Sequence, residues 1–134
     1  MSRPIAVALC AAALLAVSAA ANAATVPGTT VHTRGYKIVC LAVLPVAGGG
    51  IECASPYVPD IGELDSYFAL HRHGRAKLSE RGDYPGYGGR NRRLADGDTW
   101  RWRGVRCTAA GDGVRCVNRS GHGFVIAAGG SRRF

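Results

Sequence analysis

The sequence predicts a mainly β fold: a small single domain built from antiparallel hairpins and stapled by two disulfides. Short stretches in which apolar and polar residues alternate are typical of half-buried strands. Glycine and proline, at 19 and 6 of 134 residues, punctuate the chain between these stretches. No window of ten or more residues keeps the 3.6-residue period of an amphipathic helix. The prediction is therefore a β domain with short turns.

The first element, residues 1–23, is predicted to be a secretory signal peptide. One early positive charge, Arg3, precedes an uncharged apolar run that ends in the small residues Ala21-Asn22-Ala23. The run lacks a basic stop signal behind it and is shorter than the roughly 20 residues of a bilayer span. We expect cleavage after Ala23, a secreted domain of residues 24–134, and no stable membrane span after cleavage.

Four cysteines remain once Cys10 is removed with the leader, an even number in a compartment where thiols oxidise. Three pairings are possible, and the pairing that suits two local hairpins joins Cys40 with Cys53 and Cys107 with Cys116. The chain has no Cys-x-x-Cys or His-x-x-x-His spacing, so neither a metal site nor a cofactor is expected.

Two hairpins are predicted in the first half of the mature chain. YKIVCLAVL and IECA flank a Pro-Val-Ala-Gly turn, and residues 66–79 turn at His73-Gly74. A helix over part of residues 66–79 is the alternative. PYVPDIGELD and RGDYPGYGGRNRR are rich in proline, glycine or charge and are predicted to be loops.

The C-terminal hairpin has a register that its cysteines and its turn residues define together. If Cys107 pairs with Cys116, the loop residues are Gly111 and Asp112, and glycine occupies the first central position of a type II′ turn. The cysteines then form a non-hydrogen-bonded pair with Cα atoms about 4.5 Å apart. That separation lies at the short end of disulfide geometry. The competing Asp112-Gly113 turn would set Cys107 opposite Asn118 and separate the sulfurs.

Charge and one aromatic strand indicate a binding function. Loss of Arg3 reduces 17 cations to 16 against 9 acids, so the mature chain carries about +7, mostly from arginine. Arginine offers a planar fork that fits phosphate and carboxylate groups. We predict that Trp100, Arg101, Trp102 and Arg103 bind an anionic polymer or cell-envelope component. The alternative for this strand is an alternation that buries both tryptophans and leaves both arginines in solvent.

A second class, a small secreted hydrolase such as a ribonuclease, would use a histidine and a carboxylate as base and acid. The candidates are His71, His73 or His122 with Glu63 or Asp65. No spacing indicates such a pair, so no catalytic residue is assigned and enzyme activity is the less favoured interpretation.

In a third class the protein is a protease inhibitor or another module that binds a protein partner. A stapled exported β domain of this size suits a rigid loop that docks in an active site. The candidate loops are ASPYVPDIGE and RGDYPGYGGRN, and neither contains a recognisable reactive-site signature.

The last forty residues carry four motifs: Leu94-Ala-Asp-Gly97-Asp-Thr-Trp100, Gly104-Val-Arg-Cys107, Gly113-Val-Arg-Cys116-Val-Asn118 and Gly121-His-Gly-Phe124. With these the chain resembles a family of small exported actinobacterial proteins that carry a domain of unknown function. The family's G-N-I-x-C-like strand corresponds to Gly35–Cys40, which is one residue longer and lacks the asparagine. The resemblance spans most of residues 33–134. It implies secretion and the two disulfides, and it implies no activity or catalytic residues.

Overall fold

Two β-sheets share one core in the computed structural model, which describes residues 23–44, 49–82 and 91–134. The six-stranded sheet has the order β5-β4-β3-β2-β1-β6. Its strands are β1 (Thr30–His32), β2 (Val39–Ala42), β3 (Ile51–Ala54), β4 (Asp65–Leu70), β5 (Lys77–Arg81) and β6 (Arg92–Arg93). The five-stranded sheet has the order β11-β10-β9-β8-β7. Its strands are β7 (Thr99–Trp102), β8 (Val105–Ala110), β9 (Gly113–Asn118), β10 (Gly123–Ile126) and β11 (Arg132–Arg133).

The predicted mainly β class is confirmed, and the described residues contain one 3-10 turn, Arg34–Tyr36, and no longer helix. None of the described residues belongs to a helix with the length and hydropathy that crossing a membrane requires. The predicted signal peptide up to residue 22 and the predicted turn at residues 45–48 lie outside the described residues.

The hairpins predicted in the first half of the chain are present in the six-stranded sheet. Strands β2 and β3 pair antiparallel with Cys40 opposite Cys53. Strands β4 and β5 pair with Ala69 opposite Lys77, which centres their turn on His73. The predicted loop at 81–93 needs a correction at both ends. Arg81 is the last residue of β5, and Arg92–Arg93 forms β6, which pairs in parallel with β1. Residues 83–90 of that loop lie outside the described residues.

The C-terminal hairpin has the predicted register. Cys107 lies opposite Cys116, and Ala110 lies opposite Gly113, so Gly111 and Asp112 form the two-residue loop. Gly111 has a φ of 61°, a left-handed value that glycine adopts without steric cost. The Cα atoms of the two cysteines are 4.0 Å apart.

The core lies between the two sheets and is built by the period-two alternation of their strands. Phe68 of β4 contacts Phe124 of β10 across it, with ring centroids 5.2 Å apart. Both predicted disulfides, Cys40–Cys53 and Cys107–Cys116, are present and fully buried. The sulfurs of Cys40, Cys53 and Cys116 lie within 4.8 Å of one another. The two disulfides, each of which links two strands of one sheet, therefore pack against each other in the core.

Candidate anion-binding site

Four hairpin connections meet at one end of the two sheets. Alternate connections of an antiparallel meander lie at the same end, which places the β2–β3 and β4–β5 turns together in one sheet and the β7–β8 and β9–β10 turns together in the other. Two adjacent depressions, of about 540 and 280 Å³, lie among these turns and share Gly104 and Arg119. We name their charged and imidazole side chains the cationic loop cluster: His71, Arg72, His73, Arg101, Arg103, Arg106 and Arg119.

Asn118 holds the two sheets together beneath this cluster. It is the last residue of β9 and is buried, and its side-chain nitrogen donates to the carbonyl oxygens of His71 (2.9 Å) and Gly74 (2.7 Å). Its side-chain oxygen accepts from the backbone nitrogens of Ser120 (3.0 Å) and His122 (3.1 Å). One buried amide therefore determines the conformation of the β9–β10 turn and anchors the β4–β5 turn to it.

Two further contacts connect the same turns. The backbone nitrogen of Arg119 donates to the carbonyl oxygen of Arg72 over 3.3 Å. His73 Nδ1 and Ser120 Oγ share an exposed hydrogen bond of 3.3 Å. These two bonds hold the β4–β5 and β9–β10 turns side by side. The backbone alone therefore makes Arg72 and Arg119 neighbours, without any contact between their side chains.

Gly104 provides the space in which two of these arginines approach the chain. Its φ is 85°, and a Cβ at this position would lie 2.8 Å from Arg72 Cγ and 3.2 Å from Arg119 Nε. Arg103, immediately before it, has a φ of 42°, which is uncommon for a residue with a side chain. The β7–β8 turn is therefore tight, and it brings Arg103 to the rim of the larger depression.

The cluster concentrates positive charge. Arg101 and Arg106 lie directly opposite each other on β7 and β8, an arrangement of like charges that destabilises a sheet. Among the described residues that line the two depressions, none is Asp or Glu. The site is thus electrostatically suited to an anion.

Glu52 of β3 is an acidic residue beside the cluster whose pKa is shifted. Burial raises the pKa of Glu52 above its ordinary value, and the positive charges of Arg81 and His71 oppose that rise. The carboxylate pairs with Arg81, with Glu52 Oε2 and Arg81 Nη2 2.9 Å apart. Glu52 is therefore already paired on β3, beside the cluster.

The structure separates the four residues of the predicted binding strand. Arg101 and Arg103 are exposed and belong to the cluster, and Trp102 is half-buried with the Arg103 guanidinium 5.6 Å from its ring. Trp100 is only 1% exposed, and its Nε1 donates to the carbonyl oxygen of Gly28 over 2.9 Å. Its ring is a core group and faces no solvent, so it takes no part in the site described here.

The structure does not bring together the residues of the hydrolase hypothesis. His71 and His73 follow the end of β4, whereas Glu63 and Asp65 lie at its start. Six residues of strand separate these ends by about 20 Å, which is too far for proton exchange between them. His122 is half-buried and its backbone groups bond to Asn118.

Several members of the site were missed by reasoning from the sequence. Arg72 and Arg119 come from two different turns and Arg106 comes from β8, and no local pattern indicates that the three meet. In the sequence, Asn118 stood out only as the last residue of the Gly113-Val-Arg-Cys116-Val-Asn118 motif. Its four side-chain hydrogen bonds now explain the structural role of this asparagine.

These features define a class of protein: a two-sheet, disulfide-stapled β domain with arginines and histidines gathered at one end. Residues 49–134 match the model of a "Family of unknown function (DUF6636)", and the chain belongs to that family. The matched region includes the whole cationic loop cluster and three of the four disulfide cysteines. No curated protein and no solved structure matched the chain.

Proposed function

We propose that the protein is an exported, non-catalytic binding module that holds an anionic polymer through the cationic loop cluster. The observation that carries this proposal is the convergence of five arginines and two histidines, from three connections and the strands beside them, around adjacent depressions. Like charges held this close oppose folding, and a bound anion would relieve their repulsion.

The shape of the site favours a polymer over a compact ligand. The two depressions are joined at Gly104 and Arg119 and extend from the β4–β5 turn to the outer face of β7 and β8. A chain with regularly spaced phosphate or carboxylate groups would contact arginines in both depressions at once. Such a polymer is available to an exported protein as wall phosphate polymer, acidic glycan or released nucleic acid, and a cell-envelope polymer suits the proposed location best.

Arginine chemistry supports the same ligand class. A guanidinium group binds phosphate or carboxylate through two parallel hydrogen bonds and sheds its water more readily than an ammonium group. Binding through several such contacts releases counterions, so the affinity should fall steeply as salt is added.

The experiment that tests the proposal is an NMR titration of the mature domain with inorganic polyphosphate at low salt. We expect the amide signals of residues 71–74, 101–106 and 119–122 to shift together and to return when salt is added. Shifts of equal size at arginines elsewhere, such as Arg34 and Arg93, would show that only net charge is recognised.

A second candidate function, docking to a protein partner, has one specific observation in its favour. The loop between β3 and β4 exposes two large apolar side chains, Ile61 at 51% and Leu64 at 47%. Its backbone is held by bonds from Val58 N to Ser55 O and from Ile61 N to Ser66 Oγ, at 3.1 and 3.3 Å. An Ile61→Glu variant that loses a partner captured from culture supernatant, while polyphosphate binding persists, would support this role.

A further inference from the structure

The backbone nitrogen of Ala24 donates a hydrogen bond to a buried carboxylate. Asp98 Oδ1 accepts from Ala24 N over 3.1 Å, and Asp98 Oδ2 accepts from Ala95 N over 2.9 Å. The Asp98 residue is only 9% exposed. A carboxylate removed from water in this way gains most from a positively charged partner.

The segment that begins at Ala24 lies along the edge of β7. The carbonyl oxygen of Ala24 accepts from Thr99 N, and Val26 N donates to Thr99 O, each over 2.8 Å. Thr25 forms a parallel bridge with Thr99, and Gly28 O accepts from the Trp100 indole. Ala23 and Ala24 are both exposed, and among the described residues the backbone hydrogen bonds to β7 begin at Ala24. The attachment to β7 therefore starts at the residue that follows the expected cleavage site.

We infer that Asp98 is the docking site for the α-ammonium group that signal-peptide cleavage creates at Ala24. Hydrolysis of the Ala23–Ala24 peptide bond transfers the water's hydroxyl to the Ala23 carbonyl carbon and a proton to the Ala24 nitrogen. The amine then takes up the proton that the new Ala23 carboxylic acid releases, and it is an ammonium group at neutral pH. The inference rests on the proposed export and cleavage, and it is independent of anion binding.

Cleavage replaces the amide donor at Ala24 with an ammonium donor. This change strengthens the existing hydrogen bond to Asp98 and leaves the fold the same. Before cleavage, a neutral amide donates to Asp98; after cleavage, a cation donates to the same oxygen. Hydrogen bonds between two charged groups are shorter and roughly twice as strong as neutral ones. The folded precursor is therefore less stable than the cleaved domain. This difference helps the chain to stay unfolded during export and stabilises the fold after cleavage.

A denaturation cycle tests the inference on the mature chain, residues 24–134. Urea unfolding is measured with the Ala24 amine free and with it acetylated, in the natural sequence and in Asp98→Asn. We expect acetylation to raise the unfolding equilibrium constant about fivefold in the natural sequence and to have little effect in Asp98→Asn. An exposed neighbour supplies the matched control, since Asp96→Asn should preserve the effect of acetylation.

A second variant keeps the test decisive if Asp98→Asn does not fold. One glycine added before Ala24 restores an amide at that nitrogen and moves the ammonium group one residue away, so it should destabilise the domain as much as acetylation does. Intact mass of the exported protein separately establishes whether the chain starts at Ala24. A correct start with no stability loss on either acetylation or glycine extension would overturn the role of Asp98, whereas polyphosphate binding would be unaffected by this outcome.

Discussion

At the scale of single residues, Asn118 is the group on which the geometry of the site depends most. Its amide satisfies two carbonyl oxygens of the β4–β5 turn and two backbone nitrogens of the β9–β10 turn. All four partners are backbone groups, so the asparagine determines where two turns lie while leaving their side chains free for a ligand.

Asn118→Asp should therefore destabilise the domain by about 3 kcal/mol, because the new carboxylate oxygen would face the carbonyl oxygens of His71 and Gly74 with no proton to share. Thermal unfolding measures the loss. Ser120→Ala is the control, because it removes only the exposed bond to His73 and should change the stability little. Similar melting temperatures for the two variants would contradict the role assigned to Asn118.

Glu52 gives a pH-dependent prediction at the same scale. Burial raises its pKa above the ordinary value of 4.5, so the folded protein binds this proton more tightly than the unfolded chain. The resulting stability is fully present below the unfolded pKa and is lost as the pH rises through the folded pKa. Arg81→Gln removes the cation that opposes the shift and should raise the Glu52 pKa further. A carboxyl titration by NMR checks both statements, and a midpoint below 4.5 in the natural protein would contradict the first.

At the scale of elements, the disulfide Cys107–Cys116 and the turn at Gly111 act together in one hairpin. Cys107→Ala with Cys116→Ala should reduce the free energy of unfolding by about 2 to 5 kcal/mol, the usual loss for a native disulfide in a small secreted domain. Chemical denaturation measures it, and reductant added to the natural protein should also destabilise it. A double variant with an unchanged melting temperature would contradict the importance of this crosslink.

The same elements show what sequence reasoning can predict here. The register of β8 and β9 was predictable because two cysteines, nine residues apart, and a glycine at a two-residue turn permit one pairing. The hairpin β2–β3 was predictable from its cysteine pair, and the hairpin β4–β5 was predictable from the turn at His73-Gly74. The parallel pairing of β1 with β6 joins segments about sixty residues apart, and no turn connects them to restrict the choice.

Some residues of the candidate site could likewise be identified from the sequence, and others could not. Arg101 and Arg103 were named from the sequence as part of a binding strand, and both are exposed, although Arg103 lies in the turn that follows β7. Their role in binding stays a prediction. Trp102 is half-buried. Trp100 is buried, and its indole nitrogen donates a hydrogen bond to the carbonyl oxygen of Gly28. Arg72 and Arg119 become neighbours only when the two sheets pack, which depends on long-range contacts that no short motif encodes.

At the scale of the whole molecule, the two sheets pack around one core that contains both disulfides, and the turns at one end carry the cationic loop cluster. Screening at physiological ionic strength limits electrostatic interactions to about 8 Å. Arginines scattered over the surface would therefore act singly, whereas the arginines of the cluster would act together on one polymer. Residues 24–134 should bind phosphate polymers weakly, with retention at low salt and release at moderate salt, as affinity chromatography would show.

The most direct test compares two double variants that change the net charge equally. Arg103→Glu with Arg119→Glu alters the cationic loop cluster, and Arg34→Glu with Arg93→Glu alters exposed arginines outside it. Fluorescence anisotropy with labelled polyphosphate measures the Kd of each at several salt concentrations, after circular dichroism has shown that both fold. We predict that the cluster variant binds at least tenfold more weakly and has a shallower salt slope, while the other variant stays within about threefold of the natural protein. Equal losses in the two variants would contradict the account, because they would mean that the polymer responds only to net charge.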